Sequence, residues 1–450
     1  MAFKNLPQQA LAFLVVGVFV VVSAYSQATQ SRRPQVSAPS AGGSCNAARI
    51  AGADVGAKVN ACDKSLGANA GEIVLSGGGT IATQIIISPN HTLRVVSGVY
   101  RATSDGPVIR LKDDSSLVCD SWDAVLEEST KPHVQGTLTF TIVGVYNGTS
   151  GDAPNGTLSK NINVKGCHFR GARKDFDSVT QTVSMSNCNN CQVTKNWLEG
   201  TRTIGIQAGG SGQFGHTARN VLIANNLLTT VASQNLAVVN SIDVQVIDNV
   251  IRAPGQAGGP GVVPIDVEPN VGDKIQNVRI ANNMVDMTKT VIDASGAKAL
   301  HGIAIQNLNE AKPFAGVEIT RNTVYGGDLK DPYNHISGGL ILVRGAQNTV
   351  ISNNIMRRGT YCVLLDSGSS KIKVIGNQMS SCGSGSSQPL RIQDSSDNEI
   401  IDNKLWNDPA NIHDFSTISR NIVEVGSSNN NIFRGNDGVV HLSGRGSRKQ

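Results

Sequence analysis

From about residue 160 the chain repeats one pattern: apolar, any residue, apolar, two further residues, then Asn, then a second short apolar run. Val221 and Ile223 precede Asn226, Val244 and Val246 precede Asn249, and Val278 and Ile280 precede Asn283. Val317 and Ile319 precede Asn322, and Ile372 and Val374 precede Asn377. Shorter versions end at Asn196, Asn354, Asn403 and Asn436, and Cys167 takes the slot after Ile162 and Val164. Successive slots are 23 to 39 residues apart. Alternation turns one face of a short strand inward. Asn tolerates a left-handed backbone and can turn the corner that follows, and stacked Asn side chains can bond into a ladder. A third apolar run closes each unit, at 204–206, 263–267, 303–305, 339–343, 363–365 and 390–392. Three strands per unit, repeated at least ten times, predict an all-β chain folded as a parallel solenoid.

Upstream, Val55, Val59, Cys62 and Leu66 form one stripe of an amphipathic helix over 55–66, which predicts an N-terminal helical cap. Strand-like runs follow at 72–75, 81–87, 93–100, 108–111 and 116–119. Residues 45–159 therefore read as cap and first coils, 160–440 as the solenoid, and 441–450 as a polar basic tail. Residues 27–44 are small, polar and Pro-containing, as in a flexible linker. Residues 1–26 read as a secretory signal peptide: Lys4, an apolar run from Leu11 to Val22, then Ser23, Ala24 and Ser26. The expected location is secreted or periplasmic, with no membrane association after cleavage.

Composition agrees with short strands and many turns: Gly is 48 of 450 residues, and Gly and Asn are both weak helix formers. The net charge of +5 is small and scattered, and no basic–aromatic interleaving marks a nucleic-acid surface. Eight cysteines fit an oxidising compartment, with Cys45–Cys62 and Cys362–Cys382 as local pairs. Cys188 and Cys191 lack a second ligand pair for zinc, so a disulfide or simple packing is the better reading.

The repeat over 160–436 resembles the right-handed parallel β-helices of the pectin-lyase-like superfamily, and residues 45–120 resemble their cap and opening coils. The superfamily contains lyases, hydrolases, epimerases, esterases, phage spikes and adhesins, so the resemblance implies a fold more sharply than a function. It also implies that substrate lies across the third strand of each coil.

The outward residues of those strands are polar: Gln207, Asn240, Asp266, Gln306, Arg344, Asp366 and Gln393. Asp266 and Glu268 stand two apart, both outward by alternation. Such a pair suits Ca²⁺ or shared acid–base work. Asp266, Gln306, Asp331 and Asp366 are the expected substrate-binding residues. The densest polar segment is 325–337, with Lys330, Asp331, Tyr333 and His335, and His301 opens the strand one coil earlier. A uronate lyase or epimerase needs a cation to neutralise the carboxylate and a base for the carbon-bound proton. Arg344 or Lys330 suits the first role, and His335, His301 or Tyr333 the second. Asp331-Pro332-Tyr333-Asn334 resembles the Asp-Pro-His-Asp/Glu motif of alginate epimerases, with Tyr333 at the His position and Asn334 at the acid. The expected partner is a polysaccharide, acidic by this reasoning, processed by lyase or epimerase chemistry. The alternative is a non-catalytic carbohydrate-binding or surface-structural β-helix.

Overall fold

Short strands of three to seven residues recur because every few apolar positions are followed by a residue that turns the chain. The computed structural model describes residues 42–103, 108–129, 141–145, 158–171, 181–201, 204–210, 217–254, 262–290, 301–307, 309, 311, 314–326, 338–383, 388–406 and 420–450. Each coil contributes one strand to each of three parallel sheets. One coil runs through Ala218–Ala224, Leu227–Thr229 and Gln234–Val238, and the next begins at Ser241–Ile247. The third sheet alone stacks thirteen strands, all parallel. Inward residues align from coil to coil, so Ile206, Leu236, Ile265, Ile303 and Ile341 form a fully buried file.

The nine Asn slots form one continuous internal ladder. The backbone N–H and side-chain amide of Asn249 both donate to Asn283 Oδ1 at 3.0 Å. Those of Asn283 donate to Asn322 Oδ1 at 2.9 Å, and the chain continues through Asn354, Asn377, Asn403 and Asn436. One expectation changes. The left-handed residue at the corner is not the slot Asn but the one before it: Asn225, Asp248, Asn282, Arg321 and Asn353 have φ of 54–58°. The slot Asn turns inward instead, because its side chain must reach the carbonyl of the preceding coil. Cys167, at the same slot, donates its N–H to Asn196 Oδ1 at 3.0 Å and is bonded to Cys119 one coil earlier.

Helix α1 (Val55–Leu66) covers the open end of the core with Val55, Val59 and Cys62. Asp54 caps it by accepting from Gly56 and Ala57, and Gly67 ends it at φ 67°. The Cys45–Cys62 disulfide ties α1 to Gly43–Asn46, the first strand. Fully buried His91 bridges Asp63 Oδ1 (2.7 Å) and the Asn69 carbonyl (2.9 Å) beneath the helix. The run expected at 81–87 is two strands, Gly79–Ile81 and Ile85–Ile87, on different sheets. At the other end Glu424, 2% exposed, accepts from Asn431, Ser443, Gly444 and Ser447. This latch brings Arg448–Lys449 onto Ile432–Arg434, so ordered pairing reaches into the segment expected as a tail. Cys188–Cys191 and Cys362–Cys382 are also disulfides.

Candidate functional site

The outer face of the third sheet carries a cleft of about 390 Å³. It is lined mainly by amides and hydroxyls, among them Gln181, Ser186, Gln207, Gln234, Asn270 and Asn309, around Asp266 and Glu268. Three consecutive strands build its floor: Ile204–Ala208, Gln234–Val238 and Val263–Val267. Register sets Gln207, Ala237 and Asp266 side by side. The small Ala237 between two polar side chains leaves the hollow.

Asp266 is 1% exposed, whereas Glu268 reaches solvent. Burial, then the charge of Glu268, holds Asp266 well above the usual carboxylate range. The Gln234 amide donates to Asp266 Oδ2 at 2.6 Å and Glu268 Oε2 at 3.3 Å, and Gln306 donates to Asp266 Oδ1 at 3.4 Å. Amide donors thus bond oxygens of both carboxyls. Two carboxyls supply few of the roughly six to eight oxygens that Ca²⁺ takes. Among the described residues no cluster of three or more His, Cys, Asp or Glu side chains is suited to a metal.

The expected outward column proves to be two rows. Gln306, Arg344 and Asp366 lie level, but Asp266 is level with Ala304, two residues back. The reason is that Val267 also points inward, opposite Ile305, so Glu268 is the residue one step beyond that pair. Asp266 was expected on an exposed face; it lies on the outer face but is buried in the cleft floor. Arg344 binds Asp366 through Nη2 at 2.8 Å and Nε at 3.0 Å, and Asp366 is 8% exposed. Its charge is therefore already matched within the fold. Neither residue lines the cleft. Lys330, Asp331, Tyr333 and His335 lie outside the described residues.

His301 is 6% exposed, bonds the Gly339 carbonyl through Nδ1 at 3.2 Å, and packs against Gly338, where a Cβ would come within 2.1 Å of the ring. Burial lowers its pKa from 6.5 to about 4, and Arg344 pushes the same way. Between those values the unfolded chain binds a proton that the folded one refuses. Stability therefore falls as pH drops from 6.5 towards 4, by roughly 3 kcal/mol for a shift of this size. His301→Gln should flatten that part of a stability-against-pH curve measured by urea unfolding. An unchanged slope would mean that His301 is not the group responsible.

Gln181, Gln234, Ser186, Asn270 and Asn309 were not singled out from sequence. In one dimension each is an ordinary polar residue at a strand end or turn, and only the coil register brings them around the carboxyls.

No protein-family profile matches this chain, and no curated protein sequence does. Solved structures do. The A-module of the mannuronan C-5 epimerase AlgE6 from Azotobacter vinelandii superposes with a TM-score of 0.62 at 13% identity, over 89% of this chain and 100% of that one. The fold is a right-handed parallel β-helix. The catalytic unit of a GH87 alpha-1,3-glucanase from Streptomyces thermodiastaticus matches this β-helix with a TM-score of 0.54 at 15% identity, over 90% of this chain and 70% of that one. The tailspike of Escherichia coli bacteriophage HK620, solved with a pentasaccharide, gives 0.50 at 13%, over 84% and 66%. At such identities the likeness concerns the fold.

Proposed function

We propose that this protein binds a polysaccharide across the third sheet and cleaves a glycosidic bond over Asp266 and Glu268. What supports this is a pair of carboxyls, buried Asp266 and exposed Glu268, both bonded by the Gln234 amide in a polar cleft, with the pKa of Asp266 raised by burial and by the charge of Glu268. Both carboxyls bond the one Gln234 amide nitrogen. They act as one unit from one side of the ring. Asp266 gives its proton to the glycosidic oxygen as the carbon–oxygen bond breaks. The carboxylate of Glu268 favours the positive charge that grows on the sugar carbon. Water then adds to that carbon and returns a proton to Asp266. Gln234 holds both carboxyls in place. Gln181 Oε1 is buried without a hydrogen-bond partner at the cleft wall, and a sugar hydroxyl would satisfy it.

Among the described residues that line the cleft there is no Lys or Arg, which favours an uncharged sugar over the acidic one expected from sequence. The likeness to an epimerase module, a glucanase and a tailspike bound to a pentasaccharide supports carbohydrate as the ligand class. Lyase or epimerase action on an acidic polysaccharide is a second reading. The observation favouring it is His301, held neutral as a base must be. Export fits the four disulfides, and no described helix is long and apolar enough to cross a membrane.

The test is to incubate the protein with xylan, dextran, an alpha-1,3-glucan, alginate and polygalacturonate. New reducing ends without ultraviolet-absorbing products indicate hydrolysis. Unsaturated products, or a changed uronate ratio by NMR, indicate the second reading. Binding with no turnover leaves a carbohydrate-binding protein.

A further inference from the structure

The second sheet carries an outer surface unlike the cleft. Its outward residues form two lanes along the solenoid axis. The apolar lane runs His168, Trp197, Leu227, Val250 and Met284 in consecutive coils. All but buried His168 are partly exposed. The neighbouring lane runs Arg101, Glu127, Arg170, Glu199 and Thr229. At the start of the apolar lane the His168 ring stacks on Trp197, with centroids 4.0 Å apart and planes 6° from parallel. Trp122, from the turn before Ala124–Glu127, leans on Trp197 at 5.5 Å and 55°. Trp122 is 44% exposed, yet its indole N–H is anchored on the Lys195 carbonyl at 3.2 Å. Trp197 is anchored likewise on Thr229 Oγ1 at 3.0 Å. Both rings are thus held before any ligand arrives, which lowers the ordering cost of binding.

We propose that this surface is a second saccharide-binding site, separate from the cleft, which grips an uncharged polysaccharide lying along the solenoid axis. It rests on the polysaccharide reading for its ligand class but uses none of the cleft residues. The C–H face of a pyranose ring is weakly positive and apolar, so it seats on the negative face of a fixed indole. The flanking lane supplies alternating donors and acceptors for hydroxyls. Its charges sum to zero, Arg101 and Arg170 against Glu127 and Glu199: Glu127 holds Arg101 at 2.8 Å and also Arg170, and Glu199 meets His168 Nε2 at 3.0 Å. Such a lane offers little attraction to a polyanion and many hydrogen bonds to a neutral chain. The lanes repeat once per coil, at ~4.8 Å, comparable with the advance of one sugar residue, so an extended glycan can meet successive coils in register. Burial keeps the His168 pKa below its ordinary value despite Glu199, which favours the neutral stacking ring.

Two of the chain's three tryptophans lie here, Trp406 being the third, so indole fluorescence reports on this surface. The full-length protein, Trp122→Ala and Trp406→Phe would be run on native gels containing xylan or dextran and titrated with their oligosaccharides. Wild type and Trp406→Phe should be retarded and change emission on titration. Trp122→Ala should lose about tenfold in affinity with an unchanged melting temperature. Equal retardation of Trp122→Ala and wild type, or no retardation of wild type, overturns the site. So does a concentration-dependent dimer that Trp122→Ala abolishes, since a second copy would then cover the face. Trp122-dependent binding without any turnover retains this site and removes the cleft reading, whereas turnover with Trp122-independent binding does the reverse.

Discussion

Asp266→Asn is expected to reduce turnover of any polysaccharide the protein cleaves by ~10²–10⁴-fold, the usual contribution of a positioned acid. The substitution keeps the shape of the side chain and its place beside Gln234 and Gln306, but leaves no carboxyl proton to give. Stability should move the other way or not at all. Folded Asp266 keeps its proton at pH values where an ordinary carboxyl of pKa 3.8 has lost it. The native state then binds more protons than the unfolded one. Stability contributed by this group is full below 3.8 and declines as pH rises towards the raised native value. Asp266→Asn should abolish that decline. Reducing-end assays and urea unfolding across pH read both effects. Wild-type turnover in the variant would end the proposal for the dyad.

The largest stability loss is expected from Asn283→Val. Asn283 is 1% exposed and sits mid-ladder. Its Oδ1 accepts from both the backbone and side chain of Asn249, and its amide donates to the Val246 carbonyl at 2.8 Å and to Asn322 at 2.9 Å. Valine fills the space but strands a buried N–H, an amide and a carbonyl. At ~1–3 kcal/mol for each buried group left unpaired, partly relieved by relaxation, the loss is roughly 3–5 kcal/mol. Asn430→Gly is the control. Asn430 is exposed, has φ 56°, and donates its side-chain amide to Asp397 Oδ1 at 3.2 Å. Glycine suits that backbone, so the change should cost under ~1 kcal/mol. Equal melting shifts in the two variants would mean that the ladder contributes nothing special.

The coil repeat, the ladder positions and α1 follow from local pattern alone. Val244, Val246 and Asn249 announce a strand and a corner because alternation and an inward amide are short-range requirements, met anew in every coil. The stripe of Val55, Val59 and Cys62 likewise needs nothing beyond its own helical turn to show which face is buried. Even the disulfide Cys45–Cys62 is a near-neighbour staple. By contrast, Cys119–Cys167 joins successive coils across 48 residues, and sequence spacing does not select it.

The site depended on distance relations that no local pattern carries. Asp266 and Arg344 looked alike in one dimension, each a polar residue beside apolar ones. Stacking register separated them: Asp266 falls beside Ala237 and is bonded by Gln234, where it is buried, while Arg344 falls level with Asp366 and is paired. Trp122 and Trp197 are 75 residues apart along the chain and meet only because one turn overhangs the next coils. The sequence by itself determined the solenoid, since its period and inward residues are encoded in each coil. The tertiary structure decided which side chains share a surface. Loops of unequal length separate the strands, so lateral neighbours are set by hydrogen-bond register between coils and not by spacing along the chain.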